Sequence, residues 1–174
     1  ISIEILAFIW LWAFVNLLSA FLAVAACLFY VFVYSLWLKR SSTSNIVIGG
    51  AAGAVPVLIG WSSVTNSLDW PPVILFLLIF LWTPPHFWAL AIRYREDYSN
   101  ANVPMLPVIE GTKVTGYRMV LYAFQVWAIS LIFVPVADMG LIYLISAILL
   151  GAIFTFFSFQ VMIRPTQKSA MRLF

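Results

Sequence analysis

The sequence contains very little charge. Only 9% of its 174 residues are Asp, Glu, Lys or Arg, whereas 64% are hydrophobic, and soluble globular domains carry about 25% charged residues. A soluble fold of this length has too little interior to bury so much apolar surface. The scarcity of charge therefore excludes a soluble enzyme, a disordered tail and a nucleic-acid-binding module, and it predicts a chain embedded in a lipid bilayer.

Cysteine and histidine are also scarce. Cys27 is the single cysteine, so the chain forms no internal disulfide and has no zinc-type cysteine pair. His86 is the single histidine, which leaves no Ser-His-Asp arrangement, and no G-x-x-x-x-G-K-[ST] phosphate-binding loop is present. The chain starts at Ile1 inside an apolar run, without the features of a signal peptide, which indicates a fragment.

The apolar runs predict a single all-α domain, a polytopic transmembrane helix bundle. A membrane-spanning helix needs about 20 mostly apolar residues. Charged and polar residues divide the chain into six such segments, at about 3–17, 19–38, 45–65, 71–92, 117–136 and 140–163. With this topology all nine Lys and Arg residues fall on one side of the membrane, with loops at 39–44, 93–116 and 164–174. The positive-inside rule makes that side cytoplasmic.

The segment 82–88 places His86 within a predicted span, directly after two prolines. Pro84 and Pro85 are expected to interrupt the helix and free backbone carbonyls. An ionisable residue at membrane depth is a functional candidate by default. A hydrogen-bonded packing role for His86 is the alternative.

Charges of both signs follow that span. Arg93 and Arg95 are typical of basic anchors at a membrane surface, but anchoring does not explain Glu96 and Asp97 beside them. Magnesium is usually bound by one or two carboxylates together with substrate phosphate, and arginine neutralises phosphate oxygens. The pattern therefore favours a site for a metal ion and a phosphate group.

A second basic pair follows an earlier span. Lys39 and Arg40 are either surface anchors or further phosphate ligands. Asn45 either caps the next helix or reaches a ligand. Gly49 and Gly53 have the spacing of close helix packing.

Several stretches together resemble the UbiA prenyltransferase superfamily and, within it, the bacterial protoheme IX farnesyltransferases. The stretches that carry this resemblance are 34–40, 45–56, 60–61, 82–88, 97–98 and 103–107. The resemblance implies nine membrane spans around a central cavity that opens to the cytoplasmic side of a bacterial inner membrane. Six of these spans are present here, two being absent before Ile1 and one after Phe174.

The resemblance also implies a reaction, a cofactor and partners. The farnesyl group of farnesyl diphosphate joins a vinyl carbon of protoheme IX, and water adds to give the hydroxyethylfarnesyl group of heme O. Magnesium is the implied cofactor, and a heme A synthase is a conceivable partner. Two other functions stay open: a related prenyltransferase with an aromatic or quinone-precursor acceptor, and a non-enzymatic transport or assembly subunit. The last would show broken helices or ionisable residues paired across repeats.

The resemblance assigns roles to particular residues. Catalysis falls to Asp97, Arg93 and Arg95, and magnesium to Asp97 and Glu96 with an acidic motif that would precede Ile1. Binding of the diphosphate falls to a basic and polar set: Lys39, Arg40, Asn45, Arg93 and Arg95. Binding of protoheme falls to His86 and Tyr34. Tyr34 and Lys39 are one residue further apart than in the superfamily's Tyr-x-x-x-Lys pattern, as in the heme branch.

Overall fold

The computed structural model describes residues 2–174, and within this range it contains helices and no strand. The helices are α1 (Ser2–Phe14), α2 (Leu17–Ser41), α3 (Asn45–Thr65), α4 (Trp70–Arg93), α5 (Arg95–Asn100), α6 (Leu106–Ile109), α7 (Gly111–Val136), α8 (Leu141–Ile163) and α9 (Gln167–Leu173). Five of them, α2, α3, α4, α7 and α8, are long and apolar enough to cross a membrane, and α1 is a shorter apolar helix of 13 residues. The prediction of an all-α polytopic helix bundle is confirmed.

Helix α2 changes its hydrogen-bonding pattern along its length. It is α-helical over Leu17–Leu28, π-helical over Phe29–Leu38 and α-helical again over Lys39–Ser41. The N–H of Lys39 donates to the carbonyl of Tyr34, five residues earlier. π-helical turns are rare in proteins and are frequent at functional sites.

The turn between α1 and α2 is tied to the end of α3 by polar side chains. Asn16 caps α2 by accepting from the N–H of Ser19 at 2.8 Å, and its Nδ2 donates to the carbonyl of Ser62 at 2.6 Å. The hydroxyls of Ser19 and Ser62, both fully buried, lie 2.7 Å apart. These bonds fix α1, α2 and α3 together at one end of the bundle.

Helix α4 continues through both of its internal prolines, so the predicted interruption at Pro84 and Pro85 is wrong. Each proline removes only one N–H from the helical ladder, and the turns on either side keep their bonds. Thr83 adds a bond from its Oγ1 to the carbonyl of Ile79 at 2.7 Å. Both prolines are buried against neighbouring helices.

The opposite end of the bundle, here called the basic end, is where α2, α4 and α8 end and where α3 and α7 begin. It carries all the basic residues: Lys39, Arg40, Arg93, Arg95, Lys113, Arg118, Arg164, Lys168 and Arg172. A bond of 3.4 Å from Gln167 Nε2 to the carbonyl of Arg93 joins α9 to the end of α4.

Two apolar clusters hold the basic end together. The first joins α4, α6, α7, α8 and α9 through Trp88, Ala89, Ile92, Leu106, Met119, Val161, Ala170 and Leu173. The second joins Ile46, Ala91 and Met105, with Tyr98, Val103 and Val108 packed against it. The connection between α4 and α7 is therefore packed onto the bundle rather than looped out into solvent.

Candidate active site

A cavity of about 570 Å³ lies at the basic end, beside the break between α4 and α5, and is here called the charged cavity. Four predicted site residues line it together: Arg93, Arg95, Glu96 and Asp97. Helix α4 ends at Arg93, and Tyr94 leaves helical geometry before α5 begins at Arg95. This break is what places the end of one helix and the first turn of the next along the same cavity.

The charges in this cavity are exposed and are not paired with one another. Within residues 2–174 the ion pair present is between Arg118 and Glu110, at 2.7 Å. The guanidinium of Arg93 lies 5.4 Å from the ring centre of Tyr94, a cation–π distance. The cavity can therefore offer cationic groups to an anion and carboxylates to a cation at the same time.

The carboxylates of Glu96 and Asp97 are the donor set available for a metal ion here. Among the described residues no group of three or more His, Cys, Asp or Glu side chains converges on one point. Two carboxylates suit magnesium, which usually completes its coordination with substrate phosphate and water. The residues present thus fit a magnesium ion that is held partly by its substrate.

Lys39 and Arg40 are exposed at the end of α2 and are absent from the described lining of the 570 Å³ cavity. Asn45 is only 1% exposed and is the first residue of α3, after Ser44 at the N-cap, so it does not cap the helix. Its Nδ2 donates to the carbonyl of Lys39 at 3.3 Å, and its Oδ1 has no partner among the described residues. Asn45 therefore holds the turn that follows Lys39.

The two predicted diphosphate-binding groups are neighbours without sharing a cavity. Ile46, next to Asn45, packs against Ala91 and Met105, and Tyr98, next to Asp97, packs against the same cluster. The structure thus brings the α2–α3 turn and the α4–α5 break to adjacent positions at the basic end.

A second cavity, of about 650 Å³, lies between the candidate membrane spans α2, α3 and α4 and is here called the apolar cavity. Its walls include aromatic rings and small residues: Tyr30, Tyr34, Gly49, Gly50, Trp82 and Thr83. A Cβ on Gly49 would overlap the ring of Tyr34, and one on Gly50 would lie 3.1 Å from Cγ2 of Thr83. Both glycines therefore let side chains of neighbouring helices approach the α3 backbone.

His86 stands next to this cavity in a stack of three rings. Its imidazole lies 4.2 Å from Trp82 and 4.3 Å from Phe174, centre to centre, with interplanar angles of 24° and 16°. Neither imidazole nitrogen makes a hydrogen bond within residues 2–174, so the hydrogen-bonded packing role is not observed. The stack covers both faces of the ring and leaves its nitrogens available at the edge.

Trp82 and Phe174 were not singled out from the sequence. The four-residue spacing of Trp82 and His86 places them on one face of α4 and was the available signal. No sequence pattern pairs Phe174 with His86, because only the docking of α9 against α4 brings the two rings together.

A protein-family model described as the UbiA prenyltransferase family matches residues 1–174, the whole chain. The chain belongs to the UbiA prenyltransferase family. The α-helical bundle, the basic end and the apolar cavity are thus features of a UbiA family member.

Relatives of this UbiA chain include proteins named protoheme IX farnesyltransferase from several bacteria. The one from Clavibacter michiganensis is 48% identical over 175 aligned positions, covering 99% of this chain and 57% of the relative. That from Parafrankia sp. is 60% identical over 140 positions, covering 80% and 45%, and that from Picosynechococcus sp. is 52% identical over 165, covering 94% and 52%. The chain thus spans about half the length of these relatives. No solved structure matches it.

Proposed function

We propose that this chain belongs to an enzyme that transfers the farnesyl group of farnesyl diphosphate to a vinyl group of protoheme IX, releasing diphosphate and giving heme O. The names of the relatives support this substrate pair. The observation that carries the proposal is that one helix, α4, joins two kinds of site. Its end lines the charged cavity through Arg93, and its middle carries Trp82, at the apolar cavity, and His86.

The charged cavity suits the leaving diphosphate. As the bond between C1 of the farnesyl group and the diphosphate oxygen breaks, both electrons leave with the oxygen. Arg93 and Arg95, with Lys39 and Arg40 from the adjacent turn, would stabilise the negative charge that builds there. Asn45 would hold that turn in place through the carbonyl of Lys39.

Asp97 and Glu96 would hold magnesium in the charged cavity, and the ion would supply positive charge against the diphosphate oxygens. Asp97, Arg93 and Arg95 are the proposed catalytic residues. All three line one cavity. This supports their acting on the same diphosphate, the arginines directly and Asp97 through the magnesium ion.

The apolar cavity suits the farnesyl chain and the cation it forms. Aromatic ring faces stabilise cationic carbon electrostatically, and an apolar site keeps water from the cation until the acceptor reacts. The π electrons of a vinyl group then form the new C–C bond, and a water oxygen adds to the resulting carbocation with loss of a proton. Tyr34, at this cavity, and His86, with its unpaired nitrogens, would orient the protoheme.

The proposal extends to the membrane in which the protein lies and to its orientation there. The bundle is a multi-pass membrane protein, and the gathering of basic residues at one end favours insertion in a bacterial inner membrane with that end cytoplasmic. A heme A synthase would then be a reasonable partner, because it would consume the product.

In the test, the purified protein in detergent is incubated with protoheme, magnesium and farnesyl diphosphate that carries a label on its farnesyl group. We expect a farnesylated heme and free diphosphate, and we expect Asp97→Asn to lose at least about 100-fold in rate, as on removal of one group that stabilises transition-state charge. Asp138→Asn is the matched control, since Asp138 lies at the opposite end in a left-handed conformation that asparagine tolerates.

Two results would contradict the proposal. Labelled transfer to an aromatic or quinone-precursor acceptor, with no farnesylated heme, would establish the related prenyltransferase instead. No transfer to any acceptor by a folded protein would favour the transport or assembly subunit.

A further inference from the structure

A second group of basic residues surrounds a separate cavity at the basic end. Arg164 follows α8, and Lys168 and Arg172 lie four residues apart in α9; all three are exposed and line a cavity of about 490 Å³. No acidic side chain lines this cavity, and no ion pair within residues 2–174 includes any of the three. Three like charges around one cavity repel one another unless an anion lies between them.

The fold holds these side chains in place. Thr166 and Ser169 form a capping box that starts α9, and Ser169 Oγ also donates to the carbonyl of Arg164 at 2.5 Å. Ala170 and Leu173 are buried in the cluster that joins α4 and α8. The opposite face of α9 carries Lys168 and Arg172 and points away from the bundle. Because α9 is packed against the bundle, the positions of these two residues are fixed.

A fourth cavity, of about 550 Å³, adjoins this one and is mostly apolar. It lies between α4, α7 and α8, and Arg172 lines both cavities. Along α8 its lining runs from Tyr143 to Phe157, about 21 Å at the helical rise, which exceeds the roughly 15 Å half-thickness of a bilayer core. Leu150 in its wall is 65% exposed within residues 2–174.

We infer that these two cavities together bind one anionic glycerophospholipid. The phosphate of its headgroup is held by Arg164, Lys168 and Arg172, and one acyl chain lies along the 550 Å³ cavity between α7 and α8. One arginine guanidinium can bind two oxygens of a phosphate at once. Basic cavities between transmembrane helices commonly hold anionic headgroups. Basic residues that only anchor the helix ends need no apolar cavity beside them. The junction of charge and apolar length at Arg172 is therefore what favours a lipid over a free anion.

The test measures lipid retained by the protein and does not depend on prenyl transfer. The protein is reconstituted in nanodiscs with equal phosphatidylglycerol and phosphatidylethanolamine, transferred to detergent, and its bound lipid is counted by native mass spectrometry. We expect phosphatidylglycerol to be retained, and Arg172→Gln to reduce its affinity about fivefold, the usual effect of one basic residue at an anionic membrane surface. Lys113→Gln removes the same charge outside the cavity and should have little effect.

The acyl chain has its own pair of variants. Leu150→Trp fills the 550 Å³ cavity, whereas Leu149→Trp adds the same bulk to a neighbouring exposed residue that does not line it. We expect only Leu150→Trp to release the lipid. Equal loss in Arg172→Gln and Lys113→Gln would overturn the inference, as would unchanged retention in Leu150→Trp. Displacement of the lipid by millimolar inorganic phosphate alone would show a simple anion site and would also overturn it.

Discussion

Replacing Gly49 by alanine tests how the structure places Tyr34 in the apolar cavity. A Cβ on Gly49 would lie 2.7 Å from Cε2 of Tyr34 and closer still to another ring atom. Because backbone lies behind the new methyl group, the ring must move out of its place or α3 must shift. Gly60, in the same helix, would meet no atom within 4 Å, which makes Gly60→Ala the matched control.

The expected magnitudes follow from two opposing effects on the free energy of unfolding. Glycine to alanine within a helix stabilises by about 1 kcal/mol, and this gain applies at both positions. Overfilling a packed site costs about 1–3 kcal/mol, and this cost applies at Gly49 alone. Gly60→Ala should therefore be stabilising by up to about 1 kcal/mol, and Gly49→Ala should be less stable than Gly60→Ala by about 1–3 kcal/mol.

Denaturant unfolding in detergent measures this difference, and a protoheme titration measures its effect on the site. We expect Gly49→Ala to weaken protoheme binding about tenfold, equivalent to about 1.4 kcal/mol, because Tyr34 no longer lines the cavity. In a Tyr34→Ala background the overlap is absent, so Gly49→Ala should there stabilise as Gly60→Ala does, a coupling that a double-mutant cycle detects. Equal stabilisation by Gly49→Ala and Gly60→Ala, with no coupling to Tyr34, would refute this reasoning.

Three further predictions concern the stack and the two ends of α2. Trp82→Leu uncovers one face of His86 and should alter the Soret band of bound ferric protoheme, whereas loss of His86 itself should abolish that difference. Asn45→Leu removes the donor to the half-buried carbonyl of Lys39 and should lower the free energy of unfolding by about 0.5–1.5 kcal/mol, measured by denaturant titration; no change would show that the bond is dispensable. Asn16→Ala removes a helix cap and should cost about 1–2 kcal/mol, without changing the transfer rate.

The sequence was most informative where the relevant residues are close in the chain. Apolar runs of spanning length predicted the long helices, because hydrocarbon demands such runs. Arg93 and Asp97 could be assigned to one site because they lie only four positions apart at a helix end. The predicted interruption at Pro84 was wrong, since a long helix packed between α3 and α7 tolerates the loss of isolated N–H donors. The Phe174–His86 contact required the docking of α9, which no local pattern encodes.

The π-helical segment of α2 links an unusual spacing to an unusual backbone. Residues five apart in an α-helix point about 140° away from each other, since each residue turns the chain by about 100°. A π-helix bonds residue i to residue i+5, which places such residues one turn apart along the same face. The bond from the Lys39 N–H to the Tyr34 carbonyl shows this geometry. The wider turn therefore accommodates the extra residue between Tyr34 and Lys39. It brings the backbone of Lys39 one turn beyond Tyr34, at the exposed end of α2 and outside the described lining of the apolar cavity.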